Sequence, residues 1–339
     1  MNNQPQLSLI TSLLFACLLA ANAALAAADE ADAVKANIEA TQVPGTYTEE
    51  GADTCIKCHD EDDEYPVFDI FKTKHAQRGD KRSPFAGLQC ESCHGPGIAG
   101  PDAIEEIIER GGHTGRVRRG KERAPFLSFG PNSSTPVETQ NRMCTNCHRG
   151  EDHVGWQGSA HQRADVACAS CHRLHAARDP MLETRQQPEA CYACHLRQRA
   201  DFHKPSAHPV RFGQLACSDC HSPHGSIADG SLVKPTLNQT CYTCHAEKRG
   251  PLLWEHAPVT EDCSLCHAPH GSIHPGLLTK RAPLLCQQCH SQNGHPSVAL
   301  TGAGLAGGSA SALLLGRSCV NCHVQVHGSN HPSGVKLMR

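Results

Sequence analysis

The stretch CYTCHAEKRGPLLWEHAPVTEDCSLCHAPH, residues 241–270, carries C-x-x-C-H twice, an isolated histidine between the two copies, and another histidine three residues after the second. The same order of parts recurs along the 339 residues, so C-x-x-C-H appears ten times in all. The cysteines involved are Cys55 and Cys58, Cys90 and Cys93, Cys144 and Cys147, Cys168 and Cys171, and Cys191 and Cys194. They continue with Cys217 and Cys220, Cys241 and Cys244, Cys263 and Cys266, Cys286 and Cys289, and Cys319 and Cys322. Taken two motifs at a time, they form five repeats that start at Cys55, Cys144, Cys191, Cys241 and Cys286.

Of the 21 cysteines, every one except Cys17 lies in such a motif. A disulfide framework has no need of a two-residue spacing at each pair, and tetrahedral zinc has no need of histidine at the very next position. A dithiol redox site would appear once, beside a βαβ pattern. With 24 histidines in the chain, ten adjacent ones out of ten would arise by chance roughly once in 10¹¹ trials. The pattern is the attachment signature of c-type haem: two thiols form thioethers to the porphyrin edge, and the adjacent imidazole takes the iron from below. The spacing therefore predicts ten covalently bound haems, with His59, His94, His148, His172, His195, His221, His245, His267, His290 and His323 as proximal iron ligands.

Fourteen histidines remain, against four methionines, one of them Met1. Met143, Met181 and Met338 cannot serve ten irons, so the chain has material for bis-histidine coordination, which keeps potentials low. The repeat nominates eleven distal candidates: His75, His113, His161, His175, His208, His224, His256, His270, His295, His327 and His331. One of His113, His295 and His331 is surplus. His153, His203 and His274 fall outside the repeat and read as solvated or propionate-facing. His270 lies three residues from His267, and neighbours at that spacing on a helical turn point the same way. The two cannot grip one iron from opposite faces, so His270 must serve a different haem from the one at Cys263 and Cys266. The same holds for His175 and His224.

Composition fits a core that is not made of side chains. Aromatics are 4% of residues, with 29 Gly and 22 Pro. The expected fold is a multihaem cytochrome c, mostly coil with short α-helices and little or no sheet, an elongated wire of five two-haem repeats whose haems supply the hydrophobic interior. A net charge of −3 argues against nucleic acid. Residues 1–28 read as a cleaved secretory signal: an apolar run from residue 9 ends at Ala24-Leu25-Ala26, while Leu14-Phe15-Ala16-Cys17 only faintly resembles a lipidation site. Residues 29–54 form a flexible acidic lead-in, and 55–339 a single decahaem domain. DEDDE (60–64) reads as a solvated face and 101–110 as a helix. RVRRGKER (116–123) and the Gly/Ala/Ser-rich 299–316 read as loops.

Several strings are similar to those of the periplasmic decahaem cytochromes of the MtrA type, which include the DmsE, PioA and MtoA proteins. They are GLQCESCHGP (87–96), ADVACASCHRLH (164–175), CYTCHAEKRGPLLWEHAPVTEDC (241–263), RAPLLCQQCH (281–290) and VHGSNHPSG (326–334). The resemblance covers essentially the whole mature chain. It implies an electron conduit between periplasm and cell exterior, held in an MtrB-like outer-membrane β-barrel porin and serving extracellular respiration or Fe(II) oxidation. It also implies a periplasmic or inner-membrane cytochrome at one end and, in many members, a cell-surface multihaem cytochrome or extracellular reductase at the other. The localisation implied is the periplasm, in association with the outer membrane. A free periplasmic shuttle shares the haem reading without the porin. A multihaem reductase needs an open iron position, often marked by Lys in place of the motif histidine, and all ten motifs end in His.

Overall fold

Ten times the backbone makes the same single turn. In every motif the histidine N–H donates to the carbonyl of the first cysteine four residues back, at 2.9–3.1 Å, and the second cysteine N–H reaches that same carbonyl at 3.2–3.3 Å wherever the bond forms. A turn closed in this way sets residues i, i+3 and i+4 on one face. Both sulfurs and the imidazole of each motif therefore share a side. These turns belong to a computed structural model that describes residues 47–60, 67–96, 126–290 and 319–338. His113, His295, the leader 1–28, most of the acidic lead-in, residues 61–64 of the acidic run, and the segments 101–110, 116–123 and 299–316 lie outside the described residues.

The two motifs of a repeat are built differently. A short α-helix runs into the first: Ala52–Cys55, Val137–Thr145, Gln187–Tyr192, Leu237–Cys241 and Ala282–Cys286. The second opens a 3₁₀ turn in four repeats, at Cys168–Ser170, Cys217–Asp219, Cys263–Leu265 and Cys319–Asn321. In the first repeat it is the helix Glu91–His94. Proline stands in the first turn of Gln187–Tyr192 and Ala282–Cys286, where its missing N–H costs nothing. Coil joins these pieces. Among the described residues the sheet is confined to Trp254–Glu255 paired antiparallel with Gly328–Ser329. No described helix is long and apolar enough to cross a membrane.

The chain divides into two compact units, Met1–Pro180 and Met181–Arg339, and the boundary falls late in the second repeat, after its trailing His175. The first contains Phe85, Trp156 and Ala167 among its buried apolar residues, together with the buried polar side chains Gln140 and Asn141. The second has a small cluster of Tyr192, Phe202 and Val210, with Ala207 and Leu215 packed against it. Buried polar residues are as prominent as apolar ones in both units. The polypeptide thus supplies too little apolar surface of its own for an ordinary core, as expected of a chain folded round large apolar prosthetic groups.

Candidate haem-binding sites

Within each repeat the first cysteines of the two motifs come together. The thiols of Cys55 and Cys90, Cys144 and Cys168, Cys191 and Cys217, Cys241 and Cys263, and Cys286 and Cys319 lie within hydrogen-bonding contact. Sharing that hydrogen bond, together with burial, raises the first thiol of the pair well above its ordinary range in Cys55, Cys144 and Cys191. Burial comes first at Cys241 and Cys286, pushed up to about 12 and about 11, and at Cys93, pushed up to about 11. The same shared hydrogen bond lowers the partner thiol in Cys90, Cys168 and Cys217. All twenty described cysteines are free of disulfides.

In the second, third and fourth repeats an amide three or four residues ahead of the first cysteine fixes the two motifs against each other. Asn141 Oδ1 accepts from the Cys168 N–H at 2.8 Å while its Nδ2 donates to the Val166 carbonyl at 3.0 Å. Asn238 repeats this on the Cys263 N–H at 2.8 Å, and donates to the Val259 and Thr260 carbonyls at 3.0 and 3.2 Å. In the third repeat Gln187 clasps Ser218 from both amide atoms, at 2.9 and 3.0 Å. These amides are missed by a search for metal ligands and cysteines. The signal for two of them is the repeated N-x-x-C-x-x-C-H in NRMCTNCH and NQTCYTCH.

Imidazoles stand in opposed pairs. In the first unit His75 faces His148, with ring centroids 5.9 Å apart, and His175 faces His94 at 6.0 Å. In the second, the separations are 6.4 Å for His208 and His245, 5.9 Å for His270 and His221, 6.1 Å for His256 and His290, and 6.1 Å for His327 and His267. Two imidazoles bonded to one metal from opposite sides, each at about 2 Å, have ring centres roughly 6 Å apart. Every pair joins a motif histidine to a candidate from another repeat. In these six pairs an isolated histidine meets the first motif of the next repeat, or a trailing histidine meets the second motif of the preceding one. His270, expected to avoid the haem at Cys263 and Cys266, thus lies opposite His221.

The tautomers suit the same purpose. Nδ1 of His94, His221, His267 and His323 meets the carbonyls of Leu127, Gly230, Gly276 and Lys336 at 2.7–2.8 Å. Nδ1 of His208 and His256 meets those of Pro269 and Val326 at 2.6 and 2.8 Å. A carbonyl only accepts, so the proton sits on Nδ1 and the Nε2 lone pair is left for iron. Burial also lowers the proton affinity of His75, His148, His175, His270 and His327, which favours the neutral, ligating form. The flanking imidazoles His75, His153 and His172 add to this at His148.

The other candidates are distributed as follows. His161 is half-buried on the helix Ala160–Arg163, and His224 is half-buried in the turn after His221. His331 differs from the paired histidines, because its Nδ1 accepts an N–H from Ser333 at 3.1 Å and its carbonyl accepts from Trp254 Nε1. Of the three outside the repeat, His153 lies against His148 with centroids 5.5 Å apart, and His203 Nδ1 is 3.4 Å from the Arg211 guanidinium. His274 approaches Ser272 Oγ through its backbone N–H. Among the described residues no three or more His, Cys, Asp or Glu side chains converge as a bare metal ion would need.

One-sided tethers, opposed imidazoles and protons held on Nδ1 fit haem and define a multihaem c-type cytochrome, an electron-transfer protein. Comparison with known proteins agrees. A doubled C-x-x-C-H family model matches residues 208–250 and 256–295, an NrfB-like cytochrome c model matches 90–187, and a cytochrome c554 and c-prime model matches 20–95. The chain is 50% identical over 308 residues to the multihaem cytochrome MtrA of Shewanella baltica (strain OS185), an alignment spanning 90% of this chain and 86% of that protein. The chain belongs to that family. More distantly, it is 29% identical over 162 residues to the cytochrome c-type protein NrfB of Haemophilus influenzae, which spans 43% of this chain and 65% of that one.

Proposed function

We propose that the chain carries ten c-type haems with bis-histidine iron and conducts electrons between the periplasm and the cell exterior within an outer-membrane porin. The observation that supports it best is the set of six opposed imidazole pairs at 5.9–6.4 Å, each linking a tether to a histidine of another repeat. Bound haem supplies a one-electron iron couple. The residues would do the rest: the cysteines would tether the ring, and the motif histidine and its opposite number would both hold the iron, which suits electron transfer rather than bond chemistry. The contacts between first cysteines bring two tethers together in every repeat, which brings two rings within short hopping range. Proximal ligation belongs to the ten motif histidines. Distal ligation belongs to the ten candidates other than His331, whose Nδ1 is an acceptor and whose ring proton therefore sits on Nε2.

Residues 1–28 direct export, and a periplasmic cytochrome supplies or takes electrons at the inner end. A cell-surface multihaem cytochrome or extracellular reductase stands at the outer end. Three measurements test the reading together. Mass spectrometry of the mature chain should give ten haems, and electron paramagnetic resonance should give ten low-spin irons. Outer-membrane extracts should yield the chain together with a β-barrel. Recovery only from soluble periplasm would replace the conduit by a free shuttle, and a high-spin iron in the native protein would reopen a reductase.

A further inference from the structure

The five second-motif histidines can be compared at one atom. Nδ1 of His94, His221, His267 and His323 donates to a backbone carbonyl. Nδ1 of His172 instead meets the carboxylate Oδ2 of Asp179 at 2.5 Å, the shortest of the five contacts. The exception originates in the sequence. His221 and His267 each reach a glycine nine residues on, Gly230 and Gly276, whose left-handed φ of 64° and 67° turns the carbonyl back toward the ring. The second repeat, HRLHAARDPML (172–182), is one residue shorter over the same span and has Pro180 where the third has Gly230. The Asp179 side chain takes the position that the carbonyl takes elsewhere. Its other oxygen is held by the Arg173 N–H at 3.3 Å, and the side chain is only 15% exposed, so water screens its charge weakly.

We propose that Asp179 is a positioning residue that lowers the potential of the haem iron bound by His172, creating a low-potential station among the second-motif sites. A carbonyl offers the Nδ1 proton a dipole; a carboxylate offers it a full negative charge. The ring gains imidazolate character, donates more strongly to iron and favours the ferric state. The proton remains on Nδ1 throughout. Each transfer moves one electron, so that this iron passes from ferrous to ferric as a neighbouring haem's iron passes from ferric to ferrous, with no bond made or broken. An electron arriving here has an uphill step to leave by in neither direction, and the station stays largely oxidised while its neighbours are reduced.

The inference rests on the reading of His172 as an iron ligand, and the two fail differently. If His172 does not ligate, the native protein lacks one haem or shows one iron without histidine below it. If only the present inference fails, all ten haems remain low-spin. The test is a redox titration of the full haem-loaded chain and its Asp179→Asn and Asp179→Glu variants. Asparagine keeps an acceptor for Nδ1–H and removes the charge. One component should rise by about 59 mV, a tenfold change in its ferrous-to-ferric ratio at fixed potential, while haem count and spin state hold. Glutamate should restore most of the native value. An unchanged titration in Asp179→Asn, or an equal rise in Asp179→Glu, overturns the proposal. A measurement on the unaltered protein decides the matter if either variant fails to mature. In the fully reduced, diamagnetic form, the His172 Nδ1–H proton should resonate downfield of those of the four carbonyl-bonded histidines, and its absence there overturns the proposal as well.

Discussion

An imidazole serves iron only when it is neutral, when Nε2 is the bare nitrogen, and when a partner stands on the far side of the ring plane. His270 meets the first and third conditions through burial and through its stacked approach to His221. Replacing it by alanine should leave the haem at Cys263 and Cys266 attached and low-spin and turn the iron above His221 high-spin. Mass spectrometry with electron paramagnetic resonance checks both halves, and ten low-spin irons in the variant would refute the pairing. Acid should act through the same groups. His75, His148, His175, His270 and His327 have folded-state proton affinities below the ordinary value of 6.5, so the unfolded chain binds more protons than the folded one as pH falls. The stability they confer is full above that ordinary value and is lost at lower pH. The low-spin spectrum should thus hold at pH 6 and give way only in stronger acid, which a spectrophotometric titration would show. Covalent attachment demands contiguous residues, so the sequence alone nominates the cysteines and motif histidines. That His270 avoids its own motif followed from a three-residue spacing; that it meets His221 depends on how the chain folds back, which spacing does not encode.

The asymmetry of each repeat, with a helix running into the first motif and most second motifs opening on a 3₁₀ turn, has its own glue. Asn238 satisfies the Cys263 N–H and two carbonyls from one nearly buried amide. Alanine there strands those groups, and the haem-loaded chain should lose about 1–3 kcal/mol in guanidinium unfolding followed by haem absorbance. A variant as stable as the parent would make the clasp dispensable. The offset of this asparagine from the cysteine is visible in the sequence at two repeats, yet its meaning is not. Helix propensity and amphipathic pattern say nothing about a side chain that spans 25 residues to bond a backbone N–H. Short helices and scarce sheet were readable for the opposite reason, since ten tethers leave few residues between them for anything longer. Glycine enters at one point that spacing alone does not reveal. A Cβ on Gly271 would collide with the Asp201 carbonyl, so the residue after His270 has to be glycine for the ring to sit against Phe202.

At the scale of the whole chain the register between repeats matters more than any single pair. In the second unit His208 reaches forward to His245 and His256 to His290, while His270 reaches back to His221 and His327 to His267. No repeat there is complete by itself. Excising residues 241–285 removes two tethers and two borrowed histidines together. The register then predicts that His208 meets His290 and His327 meets His221. The shortened protein should carry two fewer haems with every iron still low-spin. Two high-spin irons in it would show that the neighbours cannot rejoin.

That reciprocal borrowing makes the length of such a protein a counted quantity. Sites can be gained or lost two at a time, by duplicating or deleting one whole repeat, because each new seam offers the same forward and backward histidines as the old one. A change of a single motif strands an imidazole on one side and an iron on the other. On the proposed ligation, growth by even steps would leave every metal served.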